Sequence, residues 1–175
     1  MNDLIRAMEE RRSIRSFKPD EPRKEDLDKI IEAGLYAASG MGRQGAIIVA
    51  VTNKEVRDRL SEANRVIGGW DEGFDPFYGA PAILIVLGNR EFPTYLYDGS
   101  LVMGNLMNAA YSLGLGSIWI HRAKEEFQKD EWKALLKDLG IEGDYEGIGH
   151  CAVGYMEGEL PEPPARNDGR VFYVK

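Results

Sequence analysis

The chain has 175 residues, 43% of them hydrophobic and 29% charged, and its 22 basic and 29 acidic side chains leave a net charge of −7. This is the composition of one soluble globular domain, spanning 1–175, with a core of its own; the acidic balance argues against a general nucleic-acid binder. No apolar run approaches the roughly 20 residues that a bilayer-spanning helix needs, and a single cysteine, Cys151, leaves no internal disulfide and suits a reducing cytoplasm.

At the amino end, Asn2 or Asp3 is placed to cap a short helix whose apolar residues are Leu4, Ile5 and Met8. MNDLIRAMEERR has no apolar stretch of the kind a signal peptide carries. The next segment, RRSIRSF at 11–17, reads as extended chain, because Ser13, Ile14 and Phe17 suit strand or loop and Pro19 and Pro22 follow. These first 18 residues run against the sign of the whole. Arg6, Arg11, Arg12, Arg15 and Lys18 face only Asp3, Glu9 and Glu10, a local charge of +2. The cluster reads either as a solvated basic face pairing with Glu9 and Glu10 or as a site for an anion.

Residues Lys24 to Ala38 carry Leu27, Ile30, Ile31, Gly34, Leu35 and Ala38 on one helical face. SGMGRQG at 39–45 is a turn. AIIVAV at 46–51 is a continuous apolar run, as expected of a strand buried on both faces. A polar helix is expected over Lys54 to Val66, then a loop, IGGWDEGFDPFYGAP, whose aromatics are candidates for a cover over a pocket. AILIVLG at 82–88 is a second buried strand, Tyr95 to Leu113 a long helix, and GLGSIWI at 114–120 a glycine turn into a third strand. Lys124 to Leu139 reads as one amphipathic helix with Phe127, Leu135, Leu136 and Leu139 inward, and IGHCAVGYM at 148–156 as a fourth strand. The tail ends in a strand-like VFYV. His121, His150 and Cys151 are expected to be structural, and their wide spacing matches no zinc motif.

Helices and buried strands interleave, which predicts an α/β or α+β sandwich. An apolar arm over the last 15 residues needs something to lie on, and a partner subunit would supply it.

Six blocks in order, RRSIRSF, AASGMGRQG, YGAPAILIV, NLMNAAYSLGLGSIWI, AVGYMEG and PPARNDGRVFYVK, resemble those of the nitroreductase family of FMN-dependent oxidoreductases over nearly the whole chain. The resemblance implies an α+β sandwich with a mainly antiparallel central sheet flanked by helices, and a C-terminal arm reaching a partner subunit. Ala38, Gly42 and Gly45 stand where the family usually has proline, asparagine and proline. Any contact of Gly42 with a flavin ring is therefore a backbone contact.

The same resemblance implies a cytoplasmic homodimer that holds FMN, takes electrons from NADH or NADPH, and engages neither membrane nor nucleic acid. Hydride would pass by a ping-pong route through flavin N5 to a small electron-poor acceptor such as a nitroaromatic or quinone. Other acceptors known in the family (reductive dehalogenation or flavin fragmentation), or a flavin-binding module without turnover, are the alternatives. Arg11, Arg12, Ser13 and Arg15 would bind FMN, with Arg11 and Ser13 at the phosphate and ribityl end and Arg15 nearer the pyrimidine edge. Ser39 and Gln44 would reach the flavin of the neighbouring subunit. Backbone atoms of Leu115, Gly116 and Ser117 would pass the ring, and the tail's Arg166, with Arg170 as a second, would meet the phosphate. The cofactor carries the chemistry, so no catalytic side chain and no metal ligand is expected. Asn105 fits a site role and a buried helix amide equally well.

Overall fold

The computed structural model describes residues 2–175. Its centre is a four-stranded sheet in the order β1-β2-β4-β3, formed by Ala46–Val51 (β1), Ala82–Asn89 (β2), Gly116–Ile120 (β3) and Tyr145–Gly154 (β4). All three pairings are antiparallel. Both faces of the sheet are covered, which is why β2 reads as an unbroken apolar run.

One face packs on helices α2 (Lys24–Leu35) and α4 (Tyr95–Ser112). Leu84, Val86, Cys151 and Val153 meet Leu27, Ile30, Met103 and Leu106 there. The other face packs on α3 (Lys54–Gly68) and the short helices α5 (Ala123–Glu126) and α6 (Asp130–Asp138). Ile83, Ile85, Ile118 and Ile120 meet Leu60, Phe127, Trp132 and Leu136 on that side. The amino-terminal helix α1 (Asp3–Glu10) is capped by Asn2, whose side chain accepts the Leu4 N–H at 2.9 Å.

The sequence expectations hold for the order and type of these elements and need correction in detail. β1 is not buried on both faces: it lies at the sheet edge, and Ala50 is exposed. The second helix stops at Leu35, which points outward. Its packing ends at Gly34, where an added Cβ would lie 2.6 Å from Leu106 Cδ2. The stretch 124–139 forms two helices instead of one. Phe127 and Trp132 both enter the core, and their five-residue spacing does not fit one helical face, so the chain resets between them. Leu139 is exposed as a result. The fourth strand runs from Tyr145 to Gly154. The VFYV segment forms no strand and is exposed. On α1 the buried residue is Ala7, while Leu4, Ile5 and Met8 face outward.

Candidate functional site

RRSIRSF leaves the end of α1 and runs along the free edge of β3. Ser13 bridges Ser117 in parallel, and the Ile14 N–H donates to the Ser117 carbonyl at 3.1 Å. Ile14 and Phe17 both drop into the core. Gly116 makes room for them, since a Cβ there would lie 2.9 Å from Ile14 Cγ1. The far end is tied down by Lys18 N–H to the Tyr155 carbonyl at 2.9 Å and Glu157 N–H to the Ser16 carbonyl at 3.0 Å. Burying the two apolar residues forces the polar ones between them to the surface beside β3.

The arginines are not a paired surface face. Arg11 is half-buried, and its Nη1 is fully buried with no hydrogen-bond partner. Burial, and then the neighbouring charge of Arg12, hold its pKa below the ordinary value, with only the Cys151 thiol pulling the other way. Cys151 itself is pushed up to about 12 by burial and is an inert thiol. Arg12 turns its Nη1 back to the Glu9 and Arg11 carbonyls at 2.7 and 2.8 Å, leaving its buried Nε without a partner. The Ser117 hydroxyl is also buried and unpartnered. Buried donors without acceptors are costly, and three of them lie on residues that line one cleft.

Two adjoining clefts are lined by these residues. One, of about 90 Å³, is lined by Arg11, Arg12, Ile14, Tyr111, Leu115, Gly116 and Ser117, and is closed by Met156 and Leu160. The other, of about 310 Å³, lies between Arg11, Arg12, Ser13 and Arg15 on one side and Pro161, Glu162, Pro164 and Arg166 of the tail on the other. The structure thus brings together Arg11, Arg12, Ser13, Arg15, Leu115, Gly116, Ser117 and Arg166. Arg170 lies in the exposed tail and lines neither cleft. Tyr111, Met156 and Leu160 are site residues that the sequence motifs do not mark. Tyr111 stands three residues before the Gly114 turn, which was the available signal.

Ser39 and Gln44 are elsewhere. The 39–45 loop is held at the first turn of α4: Asp98 accepts the Gly40 N–H at 3.0 Å and the Thr94 hydroxyl at 2.9 Å. The Ser39 hydroxyl accepts the Gln44 N–H at 3.0 Å. Met41 and Gln44 both adopt positive φ, 55° and 53°, and Met41 is 88% exposed. Gly45 is required, because a Cβ there would lie 2.2 Å from the Phe92 ring. The arginine cleft borders the other end of α4. Asp98, which holds the loop, and Tyr111, which lines the cleft, are 13 residues apart on that helix, about 20 Å at 1.5 Å per residue. One copy of the chain does not bring them together.

Asn105 donates its side-chain N–H to the Ala33 carbonyl at 3.0 Å, a helix-to-helix tie. Phe77 is core, 5.3 Å from the buried His150 ring. His150 Nε2 lies 2.7 Å from Glu126 Oε2. Trp70, Phe74 and Tyr78 pack on one another at 5.1 and 6.0 Å and line neither arginine cleft.

An antiparallel sheet clad by helices on both faces, with an arginine-rich cleft along an edge strand, defines an α+β protein. The family model of the nitroreductase family matches residues 8–67 and 69–155, and the chain belongs to that family. It is 27% identical over 164 residues to a protein from Archaeoglobus fulgidus named as a candidate NADH dehydrogenase/NAD(P)H nitroreductase, covering 91% of this chain and 88% of that one. Among solved structures it is similar to a nitroreductase with bound FMN from Bacteroides fragilis, at 28% identity and a TM-score of 0.88, with each chain covered completely. A nitroreductase with bound FMN from Desulfitobacterium hafniense gives 26% identity and a TM-score of 0.89, again over all of both chains.

Proposed function

We propose that this protein is an FMN-dependent oxidoreductase that works as a homodimer and draws electrons from NADH or NADPH. The observation that carries the reading is the half-buried Arg11, with a buried Nη1 that has no hydrogen-bond partner among the described residues, set beside the equally unpartnered Ser117 hydroxyl. Guanidinium forks match phosphate oxygens two at a time. Arg11, Arg12 and Arg166 would hold the phosphate, with Ser13 and Ser117 serving it and the ribityl hydroxyls. Arg15, exposed and without an ion pair among the described residues, would stand nearer the ring edge and stabilise it once it is reduced. Arg170 would be a second tail contact.

Bound FMN supplies the redox chemistry, accepting two electrons from the nicotinamide and passing them to an electron-poor acceptor such as a nitroaromatic or quinone. The chain's part is to orient, to supply positive charge and to exclude water. The relatives' names, candidate NADH dehydrogenase/NAD(P)H nitroreductase and nitroreductase with bound FMN, support this assignment.

The homodimer is supported by two observations. Ser39 and Gln44 lie at the far end of α4 from the arginines, so a second copy is the route by which they reach a flavin. A set of apolar side chains also points outward: Leu4, Ile5 and Met8 on α1, Tyr97 and Leu101 on α4, and Met41 in the loop. Among the described residues no helix is long and apolar enough to cross a membrane. A cytoplasmic setting agrees with the free thiol of Cys151.

The experiment is anaerobic mixing of the FMN-loaded protein with NADH and, separately, NADPH, followed by a nitroaromatic or a quinone. Bleaching of the flavin band and its return on adding acceptor is the expected result. Flavin that stays oxidised under an excess of both nucleotides contradicts the proposal.

A further inference from the structure

The two clefts beside RRSIRSF share a wall that belongs to neither core. Residues 158–166, GELPEPPAR, follow β4 and line both: Leu160 the apolar cleft, and Pro161, Glu162, Pro164 and Arg166 the arginine cleft. The root of this segment is fixed. Phe17 bridges Met156, the Glu157 N–H donates to the Ser16 carbonyl at 3.0 Å, and the Ser16 hydroxyl donates to Glu157 Oε2 at 3.0 Å. Gly158 then turns the chain with φ 84°, a conformation that suits glycine. Past that turn, among the described residues, no ion pair within 4.0 Å and no backbone-to-backbone hydrogen bond ties the segment down.

What remains is Leu160. It is the one side chain between Glu157 and Arg166 that is apolar and larger than proline. It lines the cleft of about 90 Å³ together with Ile14, Leu115 and Met156. It is 39% exposed, whereas Val171, Phe172, Tyr173 and Val174 further along the tail are 70–103% exposed, so Leu160 is the tail residue that the chain itself covers. A largely covered leucine is a tie worth about tenfold in an equilibrium. Pro161, Pro163 and Pro164 restrict the backbone just after it, so whatever fixes Leu160 also directs the residues that follow. The segment brings Arg166 and Glu162 to the arginine cleft, one charge of each sign. These charges cancel in sum, so what the segment contributes to holding an anion is set by how it is placed.

We propose that Leu160 is a positioning residue for the phosphate end of the cofactor site: seated in the apolar cleft, it holds residues 158–166 as a strap that presents Arg166 to the arginine cleft. The inference rests on the flavin reading above. Seat and cleft are neighbours, because Arg11 and Arg12 line both. A bound phosphate takes the Arg166 fork together with those of Arg11 and Arg12, and strap and phosphate then hold each other. Release of the flavin requires the strap to lift and the leucine to leave its seat.

The test is the rate at which the loaded protein releases FMN on dilution, followed by flavin fluorescence, in the wild type, Leu160→Ala, Arg166→Gln and the double variant. Riboflavin-loaded protein is the control. Leu160 belongs to neither core, so the alanine variant is expected to fold. Leu160→Ala and Arg166→Gln are each expected to speed FMN release about tenfold. The double variant is expected to release FMN little faster than Arg166→Gln alone, because both changes act through one contact. Leu160→Met, which keeps the volume, is expected to restore slow release. Riboflavin, which has no phosphate, is expected to leave the wild type and Leu160→Ala at the same rate. Effects that multiply in the double variant, or a riboflavin rate that rises as much as that of FMN, overturn the proposal. A wild type that keeps FMN far longer than riboflavin, with Leu160→Ala unchanged, sinks the strap alone. A wild type that releases the two flavins alike, or holds neither, defeats the flavin reading, and the role of Leu160 falls with it.

Discussion

Asp98 accepts the backbone N–H of Gly40 at 3.0 Å, and by that bond fastens the 39–45 loop to the end of α4 that lies away from the arginines. Asp98 is buried and also takes the Thr94 hydroxyl. Removing it orphans both donors. Asp98→Ala is therefore expected to cost about 1–3 kcal/mol in urea unfolding and, in the proposed homodimer, to weaken FMN binding as well, because a loosened loop would no longer present Ser39 and Gln44 to the second copy. Loss of stability with unchanged FMN affinity would separate the loop from the cofactor.

Arg11→Gln is expected to act in opposite directions on binding and on stability. Losing a hydrogen-bonded charge from the phosphate site should weaken FMN by about 1.5–3 kcal/mol, roughly tenfold to a hundredfold in Kd. Without flavin the same change removes a half-buried cation that nothing pairs. Thermal unfolding of the apoprotein should then stay within about 0.5 kcal/mol of the wild type, or improve. Arg15→Ala should instead lower the midpoint potential of the bound flavin more than it weakens binding, as read by spectroelectrochemical titration. An unchanged potential removes Arg15 from the ring edge.

Asp75 pins the aromatic loop to α3. Its carboxylate takes the Arg57 guanidinium, the Ser61 hydroxyl at 2.6 Å, and the N–H groups of Phe77 and Gly79 at 2.9 and 2.7 Å. Burial alone would raise its pKa, but the bonds from Arg57 and Ser61, the Arg57 charge and the Gly79 N–H outweigh it, and the folded value lies below the ordinary 3.8. A depressed carboxylate stabilises the fold fully above its unfolded pKa and loses that contribution as pH falls through the lower folded value. Asp75→Asn should cost about 1–3 kcal/mol at neutral pH and flatten the acid limb of the stability curve below pH ~4. An acid limb identical to the wild type's would show that the carboxylate does not set it.

Gly147 lets α5 lie directly on β4. An added methyl would sit 2.2 Å from the Ala123 carbonyl carbon and 2.3 Å from its oxygen, backbone atoms that cannot rotate away. Gly147→Ala is expected at the top of the ~1–3 kcal/mol range for overpacking, measured by denaturant unfolding.

The tail makes a different kind of prediction. None of residues 160–175 belongs to either core, so deleting them should spare the folding of each chain. The deletion is expected to shift the protein towards monomer and release FMN, read by light scattering and absorbance. A truncated dimer that keeps its flavin would refute the arm.

The parts of this fold legible in the sequence were those with local causes. AILIVLG announces a strand covered on both faces, and all seven of its residues are buried. RRSIRSF stood out because its charge opposes that of the chain, and it lies at the cleft. What escaped depended on distant partners. AIIVAV has the same composition as a central strand, and only the pairing order puts it at the edge. Asp98 looks like any acid in a first helical turn until Gly40 arrives from 58 residues away. Leu4, Ile5 and Met8 mark a helix correctly, yet their period does not say whether they face the chain's own core or another copy. The 67–81 aromatics suit a cover by sequence alone, but Trp70 stacks under Arg122 of another segment and Phe77 enters the core.

The central claim is that the cleft beside β3 grips the phosphate of a flavin, and it is tested most directly by titrating the apoprotein with FMN and with riboflavin, which has the same ring and no phosphate. FMN is expected to bind at least a hundredfold more tightly, about 2.7 kcal/mol or more, with most of that advantage erased in Arg11→Gln. Equal affinities for the two flavins, or an FMN advantage that Arg11→Gln leaves intact, would contradict it.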